Sequence, residues 1–256
     1  MLFVLSPAKS LDYTSPAPAI RSTTPAFMQQ SAELVGILRK FSPPGLSSLM
    51  KISDSLACLN AQRFNDWSPR NSASNSRPAV LAFDGDVYDG LQARAMPAES
   101  LDYLQSHLRI LSGLYGVLRP LDRMQPHRLE MSTRLANAHG LDLYSFWDKH
   151  ITSKLNSAVS RKGERTLVNL ASNEYFKAVK PALLSAITIT PIFEDWQGGD
   201  YKVISFFAKR ARGAMVRFAA LHQHTDPEAL QEFRCDGYRF DPAVSTTTRW
   251  HFRRKR

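Results

Sequence analysis

Apolar residues in this chain fall into short runs, each closed by a cluster of polar and turn-forming residues. Leu2–Leu5 leads into Ser6-Pro7-Ala8-Lys9, and Ala79–Phe83 into Asp84-Gly85-Asp86-Val87-Tyr88. Leu108–Ser112 opens the segment LRILSGLYGVLRPLD, in which glycines and a proline shape a turn that presents Tyr115, Arg119 and Asp122. Thr166–Leu170 ends in Ala171-Ser172-Asn173-Glu174-Tyr175-Phe176-Lys177, and Val203–Phe207 in Ala208-Lys209-Arg210-Ala211-Arg212-Gly213. Apolar runs of about five residues between turn formers predict buried strands. Open α/β sheets place their ligand sites beyond strand ends, so these junctions predict one shared cleft.

Elsewhere the apolar period is that of a helix. Ala26–Arg39 carries Phe27, Leu34, Val35 and Leu38 on one side and stops before Pro43-Pro44. Leu46–Met50 and Ser55–Phe64 read as two short helices joined by a tight turn, and Leu101–Leu108 as another helix. Asp142–Val159 is the longest helical pattern, with Leu143, Phe146, Trp147, Ile151, Leu155 and Ala158 on one face. Ala208–His222 predicts a helix that starts basic and ends apolar, and Asp226 caps a short one over Pro227–Phe233. Ile187–Ile192 and Val203–Phe207 flank Gln197-Gly198-Gly199-Asp200 as a hairpin, and Arg249–Arg253 alternates like a half-exposed terminal strand. Lys9–Pro25 and Ser68–Pro78 read as loops. Together these elements predict a mixed α/β (α+β) fold over residues 1–256, one domain with a central mixed sheet flanked by helices.

With 43% hydrophobic residues the chain can bury a substantial core, yet no apolar run approaches the roughly 18–20 residues of a membrane span. The short Met1–Ser6 run lacks a basic leader and predicts a buried first strand. Cys58 and Cys235 match no paired spacing and read as reduced, buried thiols of a cytosolic protein. Charge changes the picture more. The net charge is +10, and residues 201–256 hold 12 Lys/Arg against 5 Asp/Glu. A concentrated basic region favours a polyanion through counterion release, the alternative being a solvated basic surface.

Lys209, Arg210 and Arg212 open a helix just after a strand, where cations oppose the helix dipole unless they share an anionic ligand, with Lys9 as a fourth member. The competing reading pairs them with Asp84, Asp86 or Glu174. Asp84 and Asp86 could hold a divalent ion, but D-G-D alone reads better as a turn. Glu174, Tyr175 and Lys177 stand where a strand meets a helix, capped by Ser172 or Asn173. His222-x-His224 lacks a ligand set, so no metal and no cofactor are assigned. The phosphate loop, the dinucleotide fingerprint and the serine elbow are all missing. LSSLMKISDSLACLNAQRF, residues 46–64, reads either as a core pair packed on Leu49, Ile52, Leu56 and Leu59 or as a degenerate helix-hairpin-helix without turn glycines. In the second reading Lys51 and Arg63 supply charge to a DNA phosphate.

LSPAKSLDY at 5–13, LMKISDSLACLNAQRF at 49–64, LAFDGDVYDGLQA at 81–93 and LRILSGLYGVLRPLD at 108–122 together resemble the YaaA family of peroxide-stress resistance proteins. MQPHRLEM at 124–131, LVNLASNEYFKAVKP at 167–181 and VISFFAKRARGAMVRF at 203–218 extend the likeness over almost the whole chain. The resemblance implies a cytoplasmic bacterial protein that limits damage to DNA from peroxide and free iron. It also implies a single-domain mixed fold of unusual topology, a basic cleft, a helix-hairpin-helix-like element and affinity for DNA. Carried over by residue, it marks Lys9, Lys51, Arg63, Arg119, Lys209, Arg210 and Arg212 as candidate phosphate contacts and establishes no catalytic residue. The expected partner is the DNA backbone, with little sequence preference and no membrane. The second expectation is an enzyme acting on a nucleotide or another small phosphorylated ligand in the same cleft, lined by Asp86, Tyr88, Tyr115, Glu174 and Lys177.

Overall fold

The computed structural model describes residues 1–255 except 17, 19 and 162–164, and residue 161 by its backbone alone. The chain enters the core at once: β1 (Leu2–Leu5) has no polar residue and is fully buried. A short β2 (Ser10–Leu11) and three helices follow, α1 (Met28–Leu38), α2 (Pro43–Met50) and α3 (Asp54–Asp66). Next come β3 (Arg77–Pro78), α4 (Ala79–Ala82), β4 (Phe83–Asp84), α5 (Asp86–Leu91) and α6 (Ala98–His107), then β5 (Leu108–Ser112), β6 (Gly116–Leu118) and β7 (Arg123–Met124). The second half holds α7 (Leu143–Trp147), α8 (His150–Arg161), β8 (Thr166–Leu170), α9 (Asn173–Phe176) and β9 (Ile187–Gln197). It closes with β10 (Asp200–Lys202), α10 (Ser205–Leu221), β11 (Arg239–Phe240) and β12 (Arg249–Arg254).

The main sheet runs β11-β12-β9-β8-β1-β5-β6, with β10 paired to β9. Strands β5, β1, β8, β9 and β12 are mutually parallel, and the antiparallel β6 and β11 lie outside them. Parallel strands covered on both faces favour apolar runs: β1 is wholly apolar, while β5 (LRILS) and β8 (TLVNL) are mostly apolar, interrupted by Arg109 and Asn169. The result is a mixed α/β domain around a mostly parallel sheet. Among the described residues no helix is long and apolar enough to cross a membrane.

Three expectations are corrected. Ala79–Phe83 is a buried helical turn, α4, followed by the two-residue β4. The amides of Ala79 and Val80 bond to the carbonyls of Asp122 and Pro120, outside any sheet. A four-residue apolar run has no period of its own, and two of these four residues are the strong helix former alanine. The hairpin after Gln197 has a short second arm, because β10 ends at Lys202 and Val203–Phe207 passes into α10 with Phe206 exposed. The pattern over Asp142–Val159 keeps a single apolar face but breaks into α7 and α8 at Asp148, whose φ is +34°.

Helices α2 and α3 form the expected pair but bury a different face. Leu46, Ile52, Ala57, Asn60 and Phe64 point inward, while Leu56 and Leu59 are exposed. Ser53 caps α3 and sets its phase, so that positions 57, 60 and 64 meet the core. Cys58 lies off that face and is exposed rather than buried, and Cys235 is half-buried; both are free thiols.

Helix α10 lies backbone to backbone against α5. A Cβ on Gly213 would stand 1.8 Å from the Val87 carbonyl oxygen, and one on Gly90 2.0 Å from that of Arg210. This contact fixes the basic start of α10 beside the Asp84–Asp86 turn.

Candidate functional site at the carboxyl ends of the parallel strands

Four of the five polar junctions meet. Residues 6–10 after β1, residues 84–87 between β4 and α5, Ser172, Glu174 and Tyr175 after β8, and Lys209 and Arg212 of α10 line one cleft of about 470 Å³, with Glu130 joining them. The strand ends are tied together: the Ser172 amide donates to Ser6 Oγ at 2.8 Å, and the Tyr88 hydroxyl donates to the Ser6 carbonyl at 3.1 Å. Ser172 caps α9. Gly85 has a φ of +141°, which side-chain-bearing residues rarely adopt, and so turns the chain from β4 into α5. Burial raises the phenols of Tyr88 and Tyr175 well above the usual tyrosine range, so both act as neutral hydroxyls.

The fifth junction turns inward. Tyr115 is wholly buried: its hydroxyl accepts from Trp67 Nε1 at 3.0 Å and from the Gln125 amide at 3.1 Å, and burial pushes its pKa up to about 12. Gly113 in the same turn has a close-approach role, since a Cβ there would stand 2.3 Å from the Leu129 carbonyl oxygen. The glycine-bearing turn is therefore structural, and it brings the backbone before Glu130 close enough for that carboxylate to reach the cleft.

Charges inside the cleft are partly cancelled. Lys9 Nζ lies 3.3 Å from Glu130, which also binds Arg128 at 3.0 Å. Lys209 Nζ stands 3.6 Å from Asp86. Glu174 accepts from the Ser132 amide and hydroxyl at 3.0 and 2.7 Å. Arg212 is half-buried and has neither a hydrogen bond nor an ion pair among the described residues, and desolvation alone pulls its pKa down. Among the described residues no three of His, Cys, Asp and Glu come together in a way that could hold a metal ion.

The remaining sequence candidates lie elsewhere. Arg210 faces away from the cleft, 3.6 Å from Asp236. Arg119 binds the buried Asp122 through its backbone amide and guanidinium at 2.7 and 2.9 Å, and Asp122 also accepts from Thr23 Oγ1 at 2.6 Å. Lys177 rides 4.8 Å above the Tyr144 ring in a neighbouring depression. Lys51 is exposed at the tip between α2 and α3, while Arg63 is half-buried beside Tyr13. The cations therefore occupy separate places instead of one furrow. Much of the C-terminal surplus is held by carboxylates: Arg253 by Glu194 and Asp241, and Arg254 by Asp195.

Behind Tyr115, the ring of His127 packs at 5.2 Å and its Nδ1–H donates to the Gln125 carbonyl at 2.9 Å. Burial pulls its pKa from 6.5 down to about 4. Between those values the unfolded chain binds a proton that the fold refuses, so this stability is complete above pH 6.5 and is lost as pH falls towards 4. Urea unfolding is expected to show a slope approaching about 1.4 kcal/mol per pH unit there, flattened by His127→Gln. An unchanged slope in that variant would remove His127 as its source.

A sequence model for the family described as peroxide stress protein YaaA matches residues 1–244. The chain belongs to that family. It is 60% identical over 255 residues to a UPF0246 protein of Janthinobacterium sp. (strain Marseille), covering all of this chain and 99% of the relative. UPF0246 proteins of Ralstonia pickettii (strain 12J) and Cupriavidus metallidurans are each 57% identical over the same shares. Within this YaaA-family chain, Lys9, Asp86, Glu174, Lys209 and Arg212 line the cleft, Lys209 and Arg212 from within α10 rather than from a strand end. Tyr88 is not in its lining and is tied to it only by its hydrogen bond to the Ser6 carbonyl. Sequence reasoning missed Glu130, which sits in an irregular stretch with no period to flag it. Asp84 was legible only as part of a turn.

Proposed function

We propose that this member of the peroxide stress family works in the cytoplasm by binding duplex DNA through its phosphates, with little sequence preference, and so limits iron-dependent oxidative damage. The α2–α3 hairpin is the contact. The observation that carries this reading is the backbone at its tip: exposed Lys51 adopts the left-handed conformation, φ 53° and ψ 53°, and the solvent-facing start of α3 follows. Lys51 thus takes a conformation that glycine ordinarily supplies, while keeping a cation there. The turn is braced by the Ile52 amide on the Ser47 carbonyl at 3.2 Å and by Ser47 Oγ on the Ile52 carbonyl at 2.7 Å. Along residues 39–70, Arg39, Lys40, Lys51, Arg63 and Arg70 outnumber Asp54 and Asp66, although Arg39 is held at the far end of α3 by the Phe64, Asn65 and Trp67 carbonyls. Phosphate contact made this way is blind to base sequence.

Lys51→Gly tests the contact without disturbing the turn, since glycine accepts the same dihedrals. Duplex affinity is expected to fall several-fold, and the slope of log K against log salt to shrink by about 0.9, one phosphate's worth. The triple variant of Lys209, Arg210 and Arg212 to alanine is expected to keep its DNA affinity. Loss of binding in the triple variant, with Lys51→Gly unaffected, would move the DNA to the cleft and overturn the hairpin assignment.

A further inference from the structure

We propose that the cleft is a separate site for a small phosphate monoester bearing an amino group, gripped at the phosphate by Arg212 and Lys209 and at the amino group by Asp84. This stands independently of the DNA reading. A half-desolvated guanidinium is costly unless something compensates it. Arg128, Arg253 and Arg254 have carboxylates for that purpose. Among the described residues Arg212, lining the cleft, has none. Lys209 precedes it by one helical turn, on the same face. Its 3.6 Å approach to Asp86 is longer than a charged hydrogen bond, so the ammonium can turn to a ligand at little cost. Two cations one turn apart match a phosphate dianion better than a single carboxylate.

A group of opposite sign also faces the cleft, an exposed and solvated carboxylate open to a donor. Asp84 lines the same cleft with neither an ion pair nor a side-chain hydrogen bond among the described residues. A molecule with an anion at one end and a donor at the other satisfies both. The volume of about 470 Å³ suits a ligand of mononucleotide size. The Ser6 and Ser172 hydroxyls, already fixed to each other, provide polar lining that need not reorganise.

Titration calorimetry of the full chain with AMP, IMP, adenosine and inorganic phosphate tests this, IMP being AMP with its amino group replaced by a carbonyl. AMP is expected to bind, with adenosine and inorganic phosphate at least about tenfold weaker and IMP several-fold weaker. Arg212→Gln is expected to weaken AMP about tenfold or more while raising the thermal midpoint by roughly 2–4 °C, because it removes an uncompensated charge. Lys209→Gln, at an exposed position, is expected to cost a smaller factor, and Asp84→Asn to abolish the preference for AMP over IMP. Saturating duplex DNA is expected to leave AMP affinity unchanged. No binding of any phosphate compound at millimolar concentration would overturn the site, as would Arg212→Gln binding like the parent. Inorganic phosphate binding as well as AMP, or an AMP preference that survives Asp84→Asn, would overturn the assigned ligand class.

Discussion

Replacing Gly213 by alanine is expected to cost about 3 kcal/mol or more and to lower the thermal midpoint by roughly 6–12 °C. The added methyl would stand 1.8 Å from the Val87 carbonyl oxygen and 2.8 Å from the Leu91 amide nitrogen. Both neighbours are backbone, so relief requires moving one whole helix off the other rather than turning a side chain. Gly90→Ala meets the same obstacle from the α5 side, at the Arg210 carbonyl. Gly36 in α1 is the control: a methyl there meets nothing within 4 Å, and Gly36→Ala is expected to gain about 0.5–1 kcal/mol through helix propensity. Paired thermal and urea melts would decide the matter. A Gly213→Ala variant as stable as the parent would mean that α5 and α10 do not cross at this distance. The cleft would feel the change as well, because Lys209 and Arg212 ride on α10 and Asp86 on α5.

The second large effect lies in the C-terminal half of the sheet. Asp195→Ala is expected to destabilise the chain by about 3–5 kcal/mol, since it leaves a buried guanidinium uncompensated. Asp195 accepts from Arg254 Nε at 2.5 Å and from the Tyr238 hydroxyl at 2.6 Å, and both charged side chains are almost wholly buried. Arg254 also donates to the Asp236 carbonyl at 3.0 Å and stacks on Tyr238 and Phe207. Removing both charges together, as Asp195→Leu with Arg254→Met, is expected to recover much of the loss, because an apolar pair of similar volume carries no desolvation cost. Chemical denaturation of the single and double variants measures the coupling between them. A double variant no more stable than Asp195→Ala would show that the pair acts through shape or through its other hydrogen bonds rather than through charge.

The sheet centre was legible because β1, β5 and β8 are largely buried and so are mostly apolar, β1 without a break and the other two with single polar interruptions inside the run. Elements whose identity hangs on neighbours were not. Ala79–Ala82 is apolar in either conformation, and the carbonyls of Pro120 and Asp122 choose the helical turn. The phase of α3 follows from a cap and a left-handed lysine, so Ala57 and Asn60 go inward where Leu56 and Leu59 were expected. At the site, polar residues beyond strand ends were found by their place in the chain. Tyr115 lies in the core rather than the cleft, because a tyrosine between glycines signals a special turn but not which way the turn faces.

Local pattern alone therefore specified the buried strands, most of the helices, the basic excess and the polar strand ends, since burial period and turn chemistry act over a few residues. Which charges stand free depended on the packed molecule. Lys9 and Glu130, or Asp195 and Arg254, are far apart in the chain and pair only once the parallel strands are stacked and the loops laid over them. Electrostatic partnership is set by distance and desolvation in space. For that reason Arg212, one of several equivalent arginines in the sequence, becomes distinctive only when the fold half-buries it with no ion pair among the described residues.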